Sequence, residues 1–153
     1  MNDLQDLYQQ VIIDHNHNPR NYREIEHPTH SAKGYNPVCG DKINVFIIVD
    51  NNVITDVSFI DASVKDKGSC AICRASSSLM TEMLAGKTIA EAEKLFGFVH
   101  DMLTNNESDI EEIGKLAVLS GVHKFPARVK CAMLPWRTLK NALENKNQTA
   151  ITE

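Results

Sequence analysis

The period of the hydrophobic pattern changes once along the chain, near residue 70, and this change restricts the fold more than any other feature. Before it, apolar and polar residues alternate over 43–49 and again over 57–59, which is typical of half-buried β-strands. The Asp-Asn-Asn sequence at 50–52 favours a turn between the two runs. After it, apolar residues recur at helical spacing. Strands followed by helices predict an α+β fold, in which helices cover one face of a small antiparallel sheet of about three strands.

The N-terminal region is predicted to hold one helix and a flexible arm. Apolar residues on one face predict a helix over 3–15. The helix must end before Pro19, because proline disfavours helical geometry in the residue ahead of it. From there to Pro37 the chain is rich in His, Asn and Pro without periodicity, which predicts an irregular, mobile arm. A weak third strand is expected around Val64.

Three helices are expected after the sheet. The first begins at or near Cys70 and ends at Gly86, a residue typical of a helix C-terminus. The second opens with a Thr-x-x-Glu capping box at 88–91. The last begins near Pro126, and Pro135 in its interior predicts a kink or a late start.

Length and charge exclude several classes of protein. The 153 residues suit one domain, 1–153, with an ordinary core. A net charge of −4 gives no basic surface for nucleic acid. The N-terminus has acidic residues where a signal peptide has basic ones, and no segment is apolar enough to cross a membrane. We therefore expect a cytoplasmic protein whose four cysteines are thiols, metal ligands or catalytic groups rather than disulfides.

Three of the cysteines fall at the ends of predicted elements. Cys39 lies on the turn "NPVCGD", Cys70 at a helix start and Cys131 near the start of the last helix. A structural cysteine more often lies inside an apolar stripe, so this placement favours displayed thiols that meet at one sheet edge. With the carboxylate of Asp41 they would form a four-ligand site for zinc or for the iron of a cluster. Three unrelated, half-buried thiols remain an equally good interpretation of the spacing alone.

Cys73 and His123 are weaker candidates. The Cys-x-x-Cys pair of Cys70 and Cys73 lacks the βαβ setting of thioredoxin-like enzymes and the second pair of a zinc ribbon, so a thiol–disulfide oxidoreductase is a distant alternative. We expect Cys73 to pack in the core as a small apolar residue. His123, eight residues before Cys131, is the one histidine considered as a further ligand. The other histidines are expected to be mostly solvated.

Four ordered motifs together resemble the U-type iron–sulfur scaffold family, which includes IscU, SufU and the N-terminal part of NifU. They are "LYQQVIIDHNHNPRN", "NPVCGD", "CAICRASSSLMTEMLAGK" and "FPARVKCAMLPW", and the likeness covers nearly the whole chain. The sequence is most similar to the SufU subgroup, because Lys130 precedes Cys131 where the IscU type has a histidine. The segment "TNNESDIEEIGKLAVLSGVHKFPAR" also resembles one that SufU proteins carry between the second and third cysteines.

The resemblance implies a site and a chemistry. Its metal-site residues would be Cys39, Asp41, Cys70 and Cys131. In SufU-like proteins such a site holds zinc and accepts sulfur from the persulfide of a cysteine desulfurase, a zinc-dependent sulfurtransferase activity in which Cys39 would be the acceptor. In IscU-like proteins the same ligands hold a transient 2Fe–2S cluster. Arg128 would stand beside the site and either pair with the carboxylate or steady a displaced thiolate, with an ordinary surface salt bridge as the alternative. The sulfur would pass to downstream iron–sulfur assembly or carrier proteins.

Two departures from the family pattern lie at and near Cys70. Ser69 stands where the family usually has a glycine directly before the second cysteine, so the loop that carries Cys70 is expected to differ in shape. Cys73 stands where a serine is usual, and would either take part in sulfur relay or only add an oxidisable thiol. Two alternatives to SufU-like sulfur transfer stay open: an IscU-like scaffold, and a non-catalytic zinc-stabilised adaptor that binds the desulfurase without taking sulfur.

Overall fold

The structure, a computed structural model, describes residues 3–62, 69–105, 110–145 and 149–152. The three longer strands precede every helix but the first, which confirms the α+β class predicted from the change in hydrophobic period. The elements follow in the order α1 (Asp3–His17), β1 (His30–Asn36), β2 (Asp41–Asp50), β3 (Val53–Asp61), α2 (Ala71–Leu84), α3 (Ile89–Asn105), α4 (Ile110–Ile113), a 3₁₀ helix (Gly114–Lys124), α5 (Pro126–Leu143) and β4 (Ala150–Ile151).

The described strands form one sheet in the order β3-β2-β1-β4. Strand β2 pairs antiparallel with both β1 and β3. The turn between β2 and β3 holds Asn51 and Asn52 at φ angles of 50° and 67°, the left-handed geometry that a type I′ hairpin turn requires. Alternate residues of β2, namely Ile43, Val45 and Ile47, are fully buried. One face of the predicted hairpin therefore forms part of the core.

Strand β1 lies within the stretch for which the sequence predicted an irregular arm, so that prediction was wrong for residues 30–36. The core-facing positions of β1 include Ala32, Gly34 and Asn36, which are small or polar, so the strand has no alternating apolar signal. All seven of its residues nevertheless pair with β2. Upstream of β1, the Arg23 amide donates a hydrogen bond to the Phe59 carbonyl at 3.1 Å. This part of the arm therefore lies against β3.

The other strand predictions have mixed outcomes. The strand expected around Val64 lies outside the described residues. Strand β4 is two residues long and pairs parallel with β1 at Gly34 and Tyr35, which makes the sheet mixed rather than wholly antiparallel. A strand this short has no hydrophobic period of its own, so the sequence pattern could not reveal it.

The helices begin close to where the sequence signals placed them. Cys70 is the N-cap residue of α2. The Glu91 amide donates to Thr88 Oγ1 at 3.1 Å and the Thr88 amide donates to Glu91 Oε1 at 3.0 Å, which confirms the capping box. Helix α5 begins at Pro126 and continues through Pro135, so of the two predicted alternatives the late start does not occur and the kink stays a prediction. Within the described part of the chain, no helix is long and apolar enough to cross a membrane.

Helix α5 packs closely against β1, and this contact places the C-terminal helix beside the first hairpin. A Cβ atom at Gly34 would meet the Thr138 hydroxyl and the Leu134 side chain of α5. Glycine removes the side chain at the point of closest approach, so strand and helix can pack at short range. From α5, Trp136 joins Phe59 of β3 in the buried core.

Helix α1 is fixed on α2 by a buried polar contact. His15 is only 5% exposed, and its Nδ1 lies 2.7 Å from Ser78 Oγ. The Arg20 amide donates to the same hydroxyl at 2.8 Å. The expectation of a solvated imidazole is therefore wrong for His15, because α1 folds back onto the serine-rich side of α2.

Candidate metal centre

The turn between β1 and β2 carries Cys39 and Asp41. Asn36, the last residue of β1, pairs with Asp41, the first residue of β2. Gly40 has a φ of 76°, a left-handed conformation that glycine adopts without strain, and its amide donates to the Asn36 carbonyl at 2.8 Å. Cys39 is exposed, whereas Asp41 is 1% exposed. The turn therefore displays a thiol outward and directs a carboxylate inward.

Cys70 reaches the same place from the start of α2. Its backbone amide donates to Asp41 Oδ1 at 2.8 Å. The buried Ser69 donates its hydroxyl to the Lys42 carbonyl at 3.3 Å and its amide to Asp61 Oδ1 at 3.1 Å. Ser69, the departure from the family pattern, thus anchors the chain before Cys70 to the sheet through a side-chain hydrogen bond that glycine could not make.

Cys131 lies on α5, opposite the turn. It is fully buried, and its Sγ lies 3.2 Å from Cys39 Sγ. The ligand atoms of Cys39, Asp41 and Cys131 all lie within 4.8 Å of one another. Cys70 adjoins this group through its backbone amide, which donates to Asp41 Oδ1, but among the described residues its Sγ is not one of the ligand atoms that lie within 4.8 Å of one another. The fold thus brings together the ligand atoms of three of the four residues that the sequence singled out, Cys39, Asp41 and Cys131, and places the start of α2 with Cys70 beside them.

Asn36 belongs to this site, and the sequence reasoning missed it. It is fully buried, and its Nδ2 donates to Asp41 Oδ2 at 3.2 Å and to Cys131 Sγ at 3.4 Å. Its Oδ1 accepts a hydrogen bond from the Val38 amide at 3.2 Å, which shapes the turn ahead of Cys39. The available signal was its place at the start of "NPVCGD", since an asparagine side chain commonly bonds the backbone two residues on.

The thiols perturb one another. The neighbouring Cys131 thiol lowers the pKa of Cys70 to about 7, and the backbone amides of Cys73 and Ile72 at the helix start act in the same direction. The Cys70 thiol in turn raises the pKa of Cys131, and burial and the contact with Cys39 raise it further. The site therefore contains an acidic thiol beside one that keeps its proton.

Arg128, on the first turn of α5, lies near enough to these sulfurs for its charge to interact with theirs. The negative charge of Cys70 raises the pKa of the Arg128 guanidinium, and a hydrogen bond to Cys131 adds to the effect. The side chain is exposed, so solvent screens part of this attraction. Arg128 is therefore placed to stabilise a thiolate rather than to close the site.

Cys73 and His123 lie outside the group of ligand atoms. Cys73 is fully buried in the core, and burial raises its pKa well above the ordinary value. The expectation that Cys73 packs as a small apolar residue is confirmed. His123 lies in the 3₁₀ helix with its Nδ1 2.6 Å from the Ser120 carbonyl, and it is not among the residues that cluster with Cys39.

The donor set fits a zinc ion or the iron of a cluster. Thiolates and carboxylates are common zinc ligands, and thiolates also hold iron–sulfur clusters. Two thiolates on tetrahedral zinc lie about 3.8 Å apart, since each Zn–S bond is about 2.3 Å. The sulfurs of Cys39 and Cys131, 3.2 Å apart, would need to separate by about half an ångström. Each oxygen of Asp41 accepts one hydrogen bond and keeps a second lone pair for a metal.

A known protein family matches most of the chain. The family model for the NifU-like N terminal domain matches residues 7–145. The chain belongs to the NifU-like N-terminal domain family. The matched range contains the turn, the start of α2 and the start of α5 that build the site, and it confirms the resemblance seen in the four sequence motifs.

Other proteins of the NifU-like kind are similar over most of their length. The zinc-dependent sulfurtransferase SufU of Bacillus subtilis is 36% identical over 141 residues, which are 92% of this chain and 91% of that protein. The iron–sulfur cluster assembly scaffold protein IscU of Streptococcus pyogenes is 34% identical over 142 residues, which are 92% of this chain and 85% of that protein. A crystal structure of an iron–sulfur cluster assembly scaffold protein for the SUF system, from Fervidobacterium islandicum AW-1, has a TM-score of 0.81 at 32% identity and covers 91% of this chain and 98% of that one.

Proposed function

We propose that this protein accepts sulfur from the persulfide of a cysteine desulfurase at a zinc site and passes it on to iron–sulfur cluster assembly. The observation that carries the proposal is the 3.2 Å contact between the exposed Cys39 thiol and the buried Cys131 thiol, with Asp41 beside them. The 36% identity to a protein described as a zinc-dependent sulfurtransferase supports sulfur transfer as the activity.

Zinc would be held by Cys39, Asp41, Cys70 and Cys131. When bound, the ion would supply positive charge that keeps the thiols deprotonated and protects them from oxidation. Asp41 is the one oxygen donor among sulfurs, so we expect its bond to the metal to exchange most readily. Asn36, through its hydrogen bonds to Asp41 and Cys131, would keep both side chains oriented toward the ion.

Cys39 is the proposed acceptor because it is the exposed thiol of the group, whereas Cys70 is half-buried and Cys131 buried. Its thiolate attacks the outer sulfur of the persulfide on the desulfurase cysteine. A sulfur–sulfur bond forms on Cys39 as the sulfur–sulfur bond on the desulfurase breaks, and the desulfurase cysteine leaves as a thiolate. One sulfur atom changes carrier without a change in its oxidation state, so the step needs no separate oxidant or reductant.

Two neighbours would assist the acceptor. In the metal-free protein the Cys131 thiol donates a hydrogen bond to Cys39 Sγ, which stabilises a thiolate there. The Arg128 guanidinium, near the same sulfurs, adds positive charge on the solvent side. Only the Arg128 charge would also act while zinc holds Cys131 as a thiolate, and it favours a negatively charged Cys39 when Cys39 meets the persulfide.

Thiol-alkylation mass spectrometry after incubation with a desulfurase and free cysteine tests the proposal. Cys39→Ser should gain no persulfide even where zinc remains. Asp41→Ala removes a ligand but no nucleophile, so it should weaken zinc binding and slow activation of the desulfurase while some persulfide still forms on Cys39. Cys73→Ser is the matched control and should accept sulfur normally. A Cys39→Ser protein that gains a full persulfide, on Cys131 or on the acidic Cys70, would show that the acceptor is misassigned.

A second candidate is an IscU-like scaffold that holds a transient 2Fe–2S cluster on the same donors. The 34% identity to the Streptococcus pyogenes IscU supports it, and thiolates suit iron as well as zinc. Elemental analysis and an absorbance spectrum of anaerobically purified protein separate the two. One colourless zinc per chain supports sulfur transfer, and a brown iron–sulfide chromophore supports the scaffold. Bound zinc without any uptake of sulfur would indicate a non-catalytic adaptor for the desulfurase.

A further inference from the structure

We propose that Asp61 is a positioning residue for Cys70. It lies at the end of β3 with 8% of its side chain exposed. Its Oδ1 accepts a hydrogen bond from the amide of Ser69, the residue directly before Cys70. Its Oδ2 lies 3.2 Å from the guanidinium of Arg74, one helical turn after Cys70. The proposal rests on the proposed function, in which Cys70 is a metal ligand.

Asp61 thus fastens the chain on both sides of Cys70. Helix α2 starts at this point, and the Cys70 amide itself is held by Asp41 of β2 at 2.8 Å. Carboxylates from two neighbouring strands therefore fix the backbone around one cysteine. A backbone held on both sides restricts the directions open to the Cys70 thiol, so these bonds would fix where the thiol points.

Tyr22 completes a cluster that we call the Cys70 clamp, formed by Tyr22, Asp61 and Arg74. The Tyr22 hydroxyl donates a hydrogen bond to Asp61 Oδ2 at 3.3 Å and accepts one from the Asp61 amide at 3.2 Å. The Arg74 guanidinium lies 5.3 Å from the centroid of the Tyr22 ring, within the range of a cation–π contact. The same ring meets Phe59 edge-on, with centroids 5.2 Å apart. The clamp therefore links the N-terminal arm to the start of α2.

The clamp differs from an ordinary surface ion pair on the same strand. Asp61 and Arg74 have 8% and 24% of their side chains exposed, whereas Asp56 of β3 and its partner Arg23 have 35% and 46% exposed. An exposed pair contributes little because water screens it, but removing one member of a desolvated pair leaves the other charge unbalanced. Asp56 is therefore a matched control for Asp61, since both are β3 aspartates paired with an arginine.

The test compares Asp61→Ala, Asp61→Asn and the control Asp56→Ala with wild type. Zinc affinity is measured by competition with a chromophoric chelator, and cobalt(II) is used as a probe whose thiolate charge-transfer band reports the number of bound sulfurs. Asp61→Ala should weaken zinc binding by about 10-fold or more, as loss of an outer partner of a ligand does. Its cobalt band should fall toward that of Cys70→Ser. Asp61→Asn keeps an acceptor for the Ser69 amide, so its zinc affinity and its cobalt band should fall less. Asp56→Ala should have the zinc affinity and the cobalt band of wild type.

The outcomes separate the positioning role from the proposed function. Wild-type zinc affinity and a full cobalt band in Asp61→Ala would overturn the positioning role. Wild-type protein that binds no zinc would overturn the proposed function, and the alkylation rate of Cys70 in metal-free protein then decides the role of Asp61. Equal alkylation rates of Cys70 in Asp61→Ala and Asp56→Ala would reject the positioning role of Asp61. If circular dichroism shows that Asp61→Ala does not fold, the zinc affinity and cobalt band of Asp61→Asn and Arg74→Lys are compared with those of Asp56→Ala instead.

Discussion

Replacing Asn36 by alanine should weaken metal binding although no ligand is removed. The substitution deletes the donor to Asp41 Oδ2 and to Cys131 Sγ, and it deletes the acceptor of the Val38 amide. The carboxylate and the thiol would then be free to turn away from the ion, and the turn that presents Cys39 would lose a hydrogen bond.

The size of the effect follows from these contacts. A buried hydrogen bond contributes about 1 kcal/mol, and one to a charged acceptor about 2 kcal/mol. The metal-free protein should therefore lose about 2–4 kcal/mol in its free energy of unfolding, because Asn36 is fully buried. Loss of a partner that orients a ligand lowers metal affinity by about 10–100-fold, which corresponds to about 1.4–2.8 kcal/mol.

Two measurements test this prediction on the same sample. A competition titration against a chromophoric chelator gives the zinc affinity, and urea unfolding of metal-free protein gives the stability. Asn44→Ala is the control, since Asn44 also lies on the first hairpin and its buried Oδ1 has no hydrogen-bond partner among the described residues. Zinc affinity in Asn36→Ala equal to that of Asn44→Ala would refute the orienting role.

Three further outcomes are expected. Cys73→Ser should retain one zinc per chain in elemental analysis because Cys73 lies in the core, and loss of about one equivalent would make it a ligand. Gly34→Ala should lower the free energy of unfolding in urea by about 1–3 kcal/mol, since the added methyl meets Thr138; an unchanged value would contradict the close packing. Burial lowers the pKa of His15 below its ordinary value of 6.5, so the neutral form is favoured in the fold and stability should be full above pH 6.5 and fall below it. His15→Gln should flatten that fall, and the same fall in the variant would assign it to another group.

Local signals explain why the places of the cysteines could be predicted from the sequence. Pro37 and Gly40 mark a turn by their own backbone preferences, and the change of period at Cys70 marks a helix start. Pro126 places the beginning of α5 in the same way. Each of these signals acts within a few residues, so the ends of the elements were readable. The convergence of the thiols came from the fold class and the family resemblance.

The features that the sequence did not reveal depend on contacts between distant segments. Strand β1 needs β2 for its hydrogen bonds and α5 for the cover over Gly34, and neither requirement leaves an apolar pattern in β1. His15 is buried because α1 folds onto Ser78. The role of Asn36 exists only once Cys131 lies next to it. A single sequence holds no local trace of such pairings.

The proposed ligands lie far apart along the chain, with Cys70 29 positions from Asp41 and Cys131 92 positions from Cys39. An ion held by Cys39 and Cys131 would act as a removable cross-link between the first hairpin and the last long helix. In the chain-entropy treatment, a link across about 90 residues lowers the entropy of the unfolded chain by an amount equivalent to about 4.5 kcal/mol at 25 °C. Loss of the ion would therefore loosen the whole fold as well as the site, and the lifetime of the protein in a cell would follow the supply of its metal.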